Sequence, residues 1–411
     1  MAASISARDR GLARGHGYLR AVMASAVGVA MLALTACDFS SAAPAELDPA
    51  LVGKGKAVFR YDTYGDETFW TDTLRMHEVI AGGVSPKTAL AVGLKVDMDT
   101  LPQAVRDAIA AGQVNLDDPA TTVTLLKLGA VVGVVGEVDA TNHLTRVGVT
   151  CALCHSTVDN SFAPGIGHRL DGWPNRDLNV GAIIALSPAL PAATKAVYNS
   201  WGPGKYDARF NHDGKNMPTV IPPAFGLRNV AREVYTGDDT VSYWNLYVGV
   251  TQMHGHGTFA DARIGVSVSN PPENLTVAKL AALRAYQFSL DKPVTSGFDA
   301  AAAARGKLVF NGAGKCASCH VGAEFTDVNN GVLHTAAEAG QDPGYALRSA
   351  TGRYRTTPLR GLYHPPQLVG PYFHDGSAAT LADVVVHYVG TKGLTLSAQE
   401  KADLVEYLKS L

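Results

Sequence analysis

The chain contains two copies of one five-residue stretch, Cys151-Ala-Leu-Cys-His155 and Cys316-Ala-Ser-Cys-His320. The pattern C-x-x-C-H is the attachment signature of a c-type haem. On one helical turn, its two thiols reach the two vinyl groups at one edge of the haem, and the next histidine binds the iron from the proximal side. A zinc half-site or a thioredoxin-like redox pair also uses C-x-x-C, but neither requires that histidine. The repeat therefore predicts two covalent haem c groups, held by Cys151, Cys154, Cys316 and Cys319, with His155 and His320 as proximal iron ligands.

The chain has 411 residues, with 35 lysines and arginines against 37 aspartates and glutamates. This length accommodates two domains of ordinary size together with a leader and a tether. The balanced charge excludes an extended basic surface of the kind that binds nucleic acid. A hydrophobic content of 46% supports a packed core.

The remaining cysteine, Cys37, follows a segment typical of an export signal. Four arginines precede an apolar run at residues 21–36, which is too short for a comfortable membrane span. Leu34-Thr-Ala-Cys37 resembles the lipobox of bacterial lipoproteins, in which the cysteine is acylated and becomes the mature N-terminus; an ordinary signal peptide cleaved after Ala36 is the alternative. We predict a lipoprotein signal peptide at residues 1–36 and a tether at 37–50. Export agrees with haem attachment outside the cytoplasm, and Asp38 favours retention at the periplasmic side of the inner membrane.

A second repeat frames the domains. Residues 51–59, Leu-Val-Gly-Lys-Gly-Lys-Ala-Val-Phe, are echoed at residues 304–310, Ala-Arg-Gly-Lys-Leu-Val-Phe. The second copy leads almost directly to Cys316, whereas about ninety residues separate the first copy from Cys151. We interpret this as a duplicated haem module. The fold is predicted to be mainly α: an N-terminal haem domain at 51–295 with a large insertion at about 60–147, and a C-terminal cytochrome c domain at 296–411.

The sixth coordination position decides whether a haem iron transfers electrons or meets a substrate. The last methionine of the chain is Met253, so no methionine follows His320. The second haem is therefore predicted to lack a methionine ligand from its own domain. The candidates in that domain are His334, His364, His374, His387 and Tyr388.

Two segments carry a family resemblance: Pro371-Tyr-Phe-His-Asp-Gly-Ser-Ala-Ala-Thr-Leu381 and Val384-Val-Val-His-Tyr388. They resemble the bacterial di-haem cytochrome c peroxidases, to which the MauG-type enzymes and the di-haem rubber oxygenases are related. In the peroxidases the position of Tyr388 holds the methionine ligand of the electron-transfer haem, and in MauG-type members it holds tyrosine. The resemblance implies Tyr388 as an axial ligand, with His374 as the alternative. It also implies a calcium ion between the domains.

The N-terminal half is similar to the same family at three places. Gly165-Ile-Gly-His168 resembles the glycine-flanked loop whose histidine occupies the distal side of the catalytic haem and moves away on activation. Tyr235 stands where the family has an inter-haem tryptophan, and Gln252 where it has a catalytic glutamate. Glutamine forms hydrogen bonds but cannot perform acid–base work. His254 and His256 are therefore candidates for proton handling or for a sixth ligand.

The sequence thus predicts a membrane-tethered, periplasm-facing di-haem c-type cytochrome, an oxidoreductase similar to the peroxidase and MauG enzymes. The C-terminal haem would transfer electrons, and the N-terminal haem would meet peroxide or dioxygen. The expected redox partner is a small cytochrome, a cupredoxin or a quinone-linked donor, and no nucleic acid is expected. One alternative is a pure electron-transfer subunit of a respiratory or dehydrogenase chain, without a substrate of its own. Another is a di-haem oxygenase.

Overall fold

A computed structural model describes residues 46–364 and 369–411 of the chain. The predicted signal peptide, Cys37 and most of the tether lie outside these ranges. No helix within them is long and apolar enough to cross a membrane.

The described chain is mainly helical, which confirms the predicted fold class. The helices of its first part are α1 Pro49–Tyr61, α2 Met76–Gly83, α3 Pro86–Ala91, α4 Gln103–Ala110, α5 Pro119–Lys127, α6 Ala152–His155, α7 Val180–Ala185, α8 Ala192–Asn199, α9 Phe210–Asp213, α10 Val241–Thr251 and α11 Leu280–Ser289. Those of its last part are α12 Ala300–Asn311, α13 Ala336–Ala339, α14 Pro343–Ala346, α15 Leu381–Thr391 and α16 Ala398–Lys409.

The strands in the described residues are short and form two-stranded sheets. They are β1 Val96–Asp97, β2 Val134–Val138, β3 Leu144–Val149, β4 Ser156–Val158, β5 Ile166–Gly167, β6 Arg169–Asp171, β7 Lys205–Tyr206, β8 Thr219–Val220, β9 Gly257–Asp261 and β10 Val266–Asn270. The pairs are β1 with β5 in parallel, and β2 with β3, β4 with β6, β7 with β8 and β9 with β10 in antiparallel register.

The repeated Gly-Lys segment has the same structural role in both of its copies. A Cβ atom on Gly55 would lie 1.9 Å from the carbonyl oxygen of Ala282, and one on Gly306 would lie 2.0 Å from that of Asp403. Only glycine therefore allows α1 to cross α11, and α12 to cross α16, this closely. Four residues on, Phe59 and Phe310 are fully buried. Their rings pack edge-on against tyrosines of the crossing helices, at 5.5 Å for Phe59–Tyr286 and 5.2 Å for Phe310–Tyr407.

The predicted insertion at about 60–147 contains α2 to α5 and has an apolar core of its own. Val123, Leu125 and Leu126 of α5 pack there with Val96 and Val131. The hairpin of β2 and β3 then leads out of the insertion and ends directly before Cys151. Residues 47–411 form one compact unit, so the predicted boundary between residues 295 and 296 stays a prediction.

Candidate haem site

Both C-x-x-C-H motifs line a single cavity of about 960 Å³. Its walls include the four cysteines and two histidines of the motifs, which are Cys151, Cys154, His155, Cys316, Cys319 and His320. The volume lies near the upper end of the range of about 300–1,000 Å³ that is usual for small-molecule sites. The fold thus places two segments that are far apart in the sequence around one space.

The first motif is held deep in the protein. Thr150, at the end of the hairpin, donates its backbone N–H to the carbonyl oxygen of Gly133, and Ala152 and Leu153 of α6 are buried. The Nδ1 atom of His155 lies 3.1 Å from the carbonyl oxygen of Pro222, which can only accept a hydrogen bond. Nδ1 therefore carries the proton and Nε2 is free for iron, an arrangement typical of metal-ligating histidines. Burial lowers the pKa of His155 to about 4 and keeps the ring neutral, as an iron ligand must be.

The second motif repeats this arrangement with different elements. Cys316 to Ser318 form a single 3₁₀ turn after α12. His320 donates from Nδ1 to the carbonyl oxygen of Phe325 at 2.9 Å, and burial lowers the pKa of its imidazole. Both proximal histidines are thus fixed in the tautomer that offers Nε2 to iron.

The motif cysteines lie at the wall of the cavity. Burial raises the pKa of Cys151 and Cys154 to about 12 and that of Cys316 to about 11. These three thiols are therefore neutral at pH 7.

Three guanidinium groups at the cavity wall, one of them buried and two partly buried, have few anionic partners. Arg360 is 7% exposed, its nearest carboxylate, that of Glu233, is 3.9 Å away, and its Nη1 atom has no partner within the described residues. Burial lowers the pKa of Arg360 to about 10. Arg355 bonds to Glu233 at 2.9 Å, but its Nε is unpaired in the same part of the chain. Arg176 donates to the carbonyl oxygens of Ile221 and Val369, at 2.6 and 2.8 Å.

Buried cations of this kind are costly unless an anion pairs with them. The two propionates of a haem supply such anions. The residues present therefore fit haem on two counts, namely the fixed proximal histidines and the guanidinium groups with few anionic partners.

Tyr388 lies at the second motif with its hydroxyl unengaged. It lines the cavity together with Cys316 and His320, and its hydroxyl forms no hydrogen bond with the described residues. Burial and the neighbouring cysteines raise the pKa of Tyr388 to about 12. In His374, by contrast, Nε2 lies 2.8 Å from Asp342 Oδ2 and Nδ1 lies 3.1 Å from Gln341 Oε1. Because both ring nitrogens of His374 are engaged, the geometry favours Tyr388 as the axial ligand.

The other histidines of this region have partners or lie off the cavity. His334 bonds to Asp327 at 2.8 Å, and His387 bonds to the carbonyl oxygen of Gly340 at 2.7 Å. His364 packs against Trp173 and is not part of the cavity wall.

One group of His, Cys, Asp or Glu in the described residues has its ligand atoms close enough for a metal ion: Cys319, Asp327 and His334. Cys319 belongs to the haem motif, and the set is not the oxygen-rich one that calcium prefers. The calcium ion implied by the family resemblance stays a prediction.

Near the first motif, the structure brings together Gln252 and Tyr206, a residue that the sequence analysis missed. Both line the cavity, and the Tyr206 hydroxyl donates to Gln252 Oε1 at 2.5 Å. The amide nitrogen of Gln252 donates to the carbonyl oxygen of Ala208 at 2.7 Å and to Thr251 Oγ1 at 2.9 Å. The amide is therefore locked in one orientation. No local sequence signal points to Tyr206, because its partner lies 46 residues away.

His254 also lines this cavity, as predicted for a distal residue. Its ring stacks on Phe69 with 3.5 Å between centroids, and its backbone has a φ of +64°, which is uncommon for a residue other than glycine. Burial lowers the pKa of His254 to about 4, so its ring is a neutral base. A half-buried histidine with a left-handed backbone at a cavity wall is a candidate functional residue.

Two predicted distal residues lie elsewhere. His168 is on the surface beyond β5, with its side chain 53% exposed and its Nδ1 atom 2.9 Å from Asp99. It is not part of the cavity wall, so the expectation that it lies beside the first iron does not hold in this structure. His256 also lies off the cavity wall, packed beside Gly65. Gly165 has a φ of +80° in the turn before β5, and a Cβ atom on it would lie 2.7 Å from Leu90 Cδ2, so this glycine serves the turn and the packing around it.

Tyr235, for which the family resemblance implies an inter-haem position, lines the same cavity as both motifs. Its hydroxyl donates to the carbonyl oxygen of Val220 at 2.9 Å. Its ring centroid lies 6.2 Å from that of His374.

A mainly helical chain with two haem-attachment motifs at one cavity is a c-type cytochrome. The family model for cytochrome c matches residues 303–411. The methylamine utilization protein MauG of Methylorubrum extorquens is 33% identical over 296 residues, covering 66% of this chain and 74% of that protein. The chain belongs to the MauG-like di-haem cytochrome c peroxidase family. It is accordingly a haem-binding oxidoreductase with covalently bound haem c.

Other similarities are partial. The gamma subunit of hydrazine synthase from Kuenenia stuttgartiensis is 40% identical over 90 residues, 19% of this chain and 24% of that protein. Among solved structures, hydrazine synthase of the same organism aligns with a TM-score of 0.33 and 22% identity, covering 47% of this chain and 72% of that one. A MauG-like protein associated with microbial copper homeostasis aligns with a TM-score of 0.26 and 23% identity, over 34% and 55% of the two chains.

Proposed function

We propose that the chain binds two haem c groups, one at each motif, and divides their tasks. His320 would hold the haem that supplies electron exchange with a partner, and His155 would hold the haem that supplies the chemistry with peroxide or dioxygen. A lipid on Cys37 tethers the protein to the inner membrane, on its periplasmic side. One observation carries the proposal: both C-x-x-C-H motifs line the same cavity, and the residues around the first motif differ from those around the second.

Exposure of the motifs supports this division. Lys315 and Ser318 of the second motif region are exposed, whereas Ala152 and Leu153 of the first are buried. A docked electron donor thus comes closer to the second haem than to the first. A small cytochrome, a cupredoxin or a quinone-linked donor fits this role. Tyr388, as an oxygen ligand, would close the sixth position of that haem.

The polar groups near the first motif support a reaction site there. Bound haem iron supplies the redox chemistry with peroxide or dioxygen. Gln252 cannot accept a proton, and its amide is locked by Tyr206 and Ala208. His254 is neutral at pH 7 and lines the cavity, so we assign it the proton transfer that glutamate performs in the peroxidases. Tyr206 fixes the orientation of the Gln252 amide. This amide can form hydrogen bonds but cannot transfer a proton.

A pure electron carrier is the second candidate, and Gln252 is the observation that favours it. Without a carboxylate at this position, peroxide cleavage lacks the usual acid–base residue. In that case both irons would be six-coordinate at every redox level.

Spectra and peroxide kinetics of the haem-loaded protein separate the two candidates. We expect two haem masses per chain, a high-spin component in the resting or half-reduced state, and peroxide consumption first order in peroxide. His254→Asn should lower that rate constant about a hundredfold, the usual range for lost acid–base help. His256→Asn, two residues away and off the cavity wall, is the matched control and should change little. Low-spin spectra at every redox level, with no peroxide consumption, would establish the electron carrier instead.

A further inference from the structure

A second cavity, of about 420 Å³, lies inside the insertion. Among the residues that the structure describes, its walls and those of the haem cavity have none in common. Apolar side chains of α3, α4 and α5 form most of its surface, together with Val96, Val131 and Ile166. Its volume falls within the range of about 300–1,000 Å³ that is usual for small-molecule sites.

Three of the four polar residues of this wall use their polar atoms elsewhere. The Lys95 ammonium pairs with Asp177 at 2.5 Å. The Thr121 hydroxyl donates to the carbonyl oxygen of Asn115, and the Thr124 hydroxyl to that of Ala120, at 2.8 and 2.9 Å. The fourth, the Thr122 hydroxyl, is enclosed by protein and has no partner within residues 46–364 and 369–411. The wall therefore offers a ligand an almost entirely hydrocarbon surface.

Helix α4 covers this cavity without packing tightly on the core. None of its residues is fully buried. Its polar side chains bond to one another on the outer face, where Gln103 bonds to Asp107 at 2.7 Å and Arg106 to Gln103 at 2.6 Å. Val105 and Ile109 are turned inward, line the cavity and remain partly exposed. An amphipathic helix normally buries its apolar face, so this one has apolar surface to cover.

We propose that this cavity is a binding site for a neutral, mainly hydrocarbon molecule with at most one hydroxyl group, such as a medium-chain alcohol. Cavities lined by aliphatic side chains stay dry and bind apolar molecules. A carboxylate is disfavoured, because Lys95, the cation of the described wall, is already paired with Asp177. The ligand packs against Val105 and Ile109 of α4 and against α5, near Thr122. This site is independent of the haem chemistry proposed above.

Calorimetric titration of the haem-loaded protein with 1-octanol tests this site, with octanoate as the charged analogue. We expect saturable binding of one octanol per chain, a rise in the unfolding temperature with octanol, and much weaker binding of octanoate. Ala108→Trp fills the cavity from α4 and should abolish both effects, whereas Ala110→Trp is exposed on the same helix, lies off the wall and should preserve them.

Ala104→Trp, at an exposed wall position, replaces Ala108→Trp if that variant does not fold. Absence of saturable octanol binding in the unmodified protein would overturn the proposal. Binding that survives every folded cavity-filling variant would also overturn it, and so would octanoate binding as tightly as octanol.

Discussion

Replacing Arg348 by methionine should destabilise the protein more than any surface change, because this side chain ties distant parts of the chain together. Arg348 is 1% exposed and follows α14. It bonds to both oxygens of Asp207, also 1% exposed, at 2.9 and 3.0 Å. It also bonds to Asp213 at 2.6 and 2.9 Å. Burial opposes the charge on Asp213, but the bonds from Arg348 and from the Lys215 backbone N–H, together with the charges of these two residues, outweigh it and lower the pKa of that carboxyl.

The size of the effect follows from what the substitution leaves behind. Removing one partner of a buried ion pair costs about 3–5 kcal/mol, since the other charge stays buried and uncompensated. Asp207 would retain three backbone donors, the N–H groups of Arg209, Phe210 and Met217, at 3.0, 3.1 and 2.7 Å. We therefore expect the lower end, about 3 kcal/mol. Domains are stable by only about 5–15 kcal/mol, so this is a large fraction of the total.

Urea unfolding, followed by far-ultraviolet circular dichroism, measures the loss of stability. We expect a lower urea midpoint and an unchanged dependence of the free energy of unfolding on urea concentration. Arg75→Met is the control. Arg75 also forms two hydrogen bonds with one carboxylate, that of Glu78, but the two side chains are 52% and 48% exposed, so its loss should be much smaller. Arg348→Met combined with Asp207→Asn should recover part of the stability by removing the stranded charge. A loss for Arg348→Met no larger than that for Arg75→Met would refute the reasoning.

Three further predictions concern ligation, anchoring and pH. Tyr388→Phe should remove the oxygen-ligand signature of the second haem in electron paramagnetic resonance spectra, whereas His374→Asn should leave it, because the nitrogens of His374 are bonded elsewhere. Cys37→Ser should move the protein from the membrane fraction to the soluble fraction with its haem content unchanged; retention after a high-salt wash would argue against a lipid anchor. The hydrogen bond from Arg263 outweighs the effect of partial burial and lowers the pKa of Asp261 from its ordinary 3.8 to about 2. The Asp261 carboxylate therefore stabilises the folded state above pH 3.8, and this stabilisation is lost as the pH falls toward 2. Asp261→Asn should therefore lower the urea midpoint at neutral pH and make the midpoint less dependent on pH between 3.8 and 2. If the midpoint of the variant depends on pH in this range as strongly as that of the unmodified protein, the Arg263–Asp261 pair is not the cause.

The site could be predicted from the sequence wherever its chemistry depends on local spacing. Cys151, Cys154 and His155 must lie within one turn to bind one haem, so their spacing alone identifies them. The mainly α fold and the family were predicted correctly for the same reason, because helical periodicity and short motifs are local patterns. The repeat of Gly55 and Phe59 at Gly306 and Phe310 also proved informative, since it marks the same close helix crossing in both copies.

The distal surroundings of the haem depended on the tertiary structure. His168 follows His155 by only thirteen residues, yet the β5–β6 turn carries it to the surface beside Asp99. Tyr206 had no recognisable motif, but the fold brings it to Gln252. The sequence offered both His374 and Tyr388 as axial ligands, and only the fold shows that both ring nitrogens of His374 have hydrogen-bond partners.

The sequence by itself determined the kind of cofactor and the helical class and predicted the proximal ligands, because covalent attachment needs only residues that are neighbours along the chain. The tertiary structure decided that the two motifs open into one cavity, that Arg176 and Arg360 face it with too few anions, and that the insertion contains a cavity of its own. These features join side chains separated by tens to hundreds of residues. Their proximity is set by how helices and loops cross in the packed protein, which no local pattern specifies.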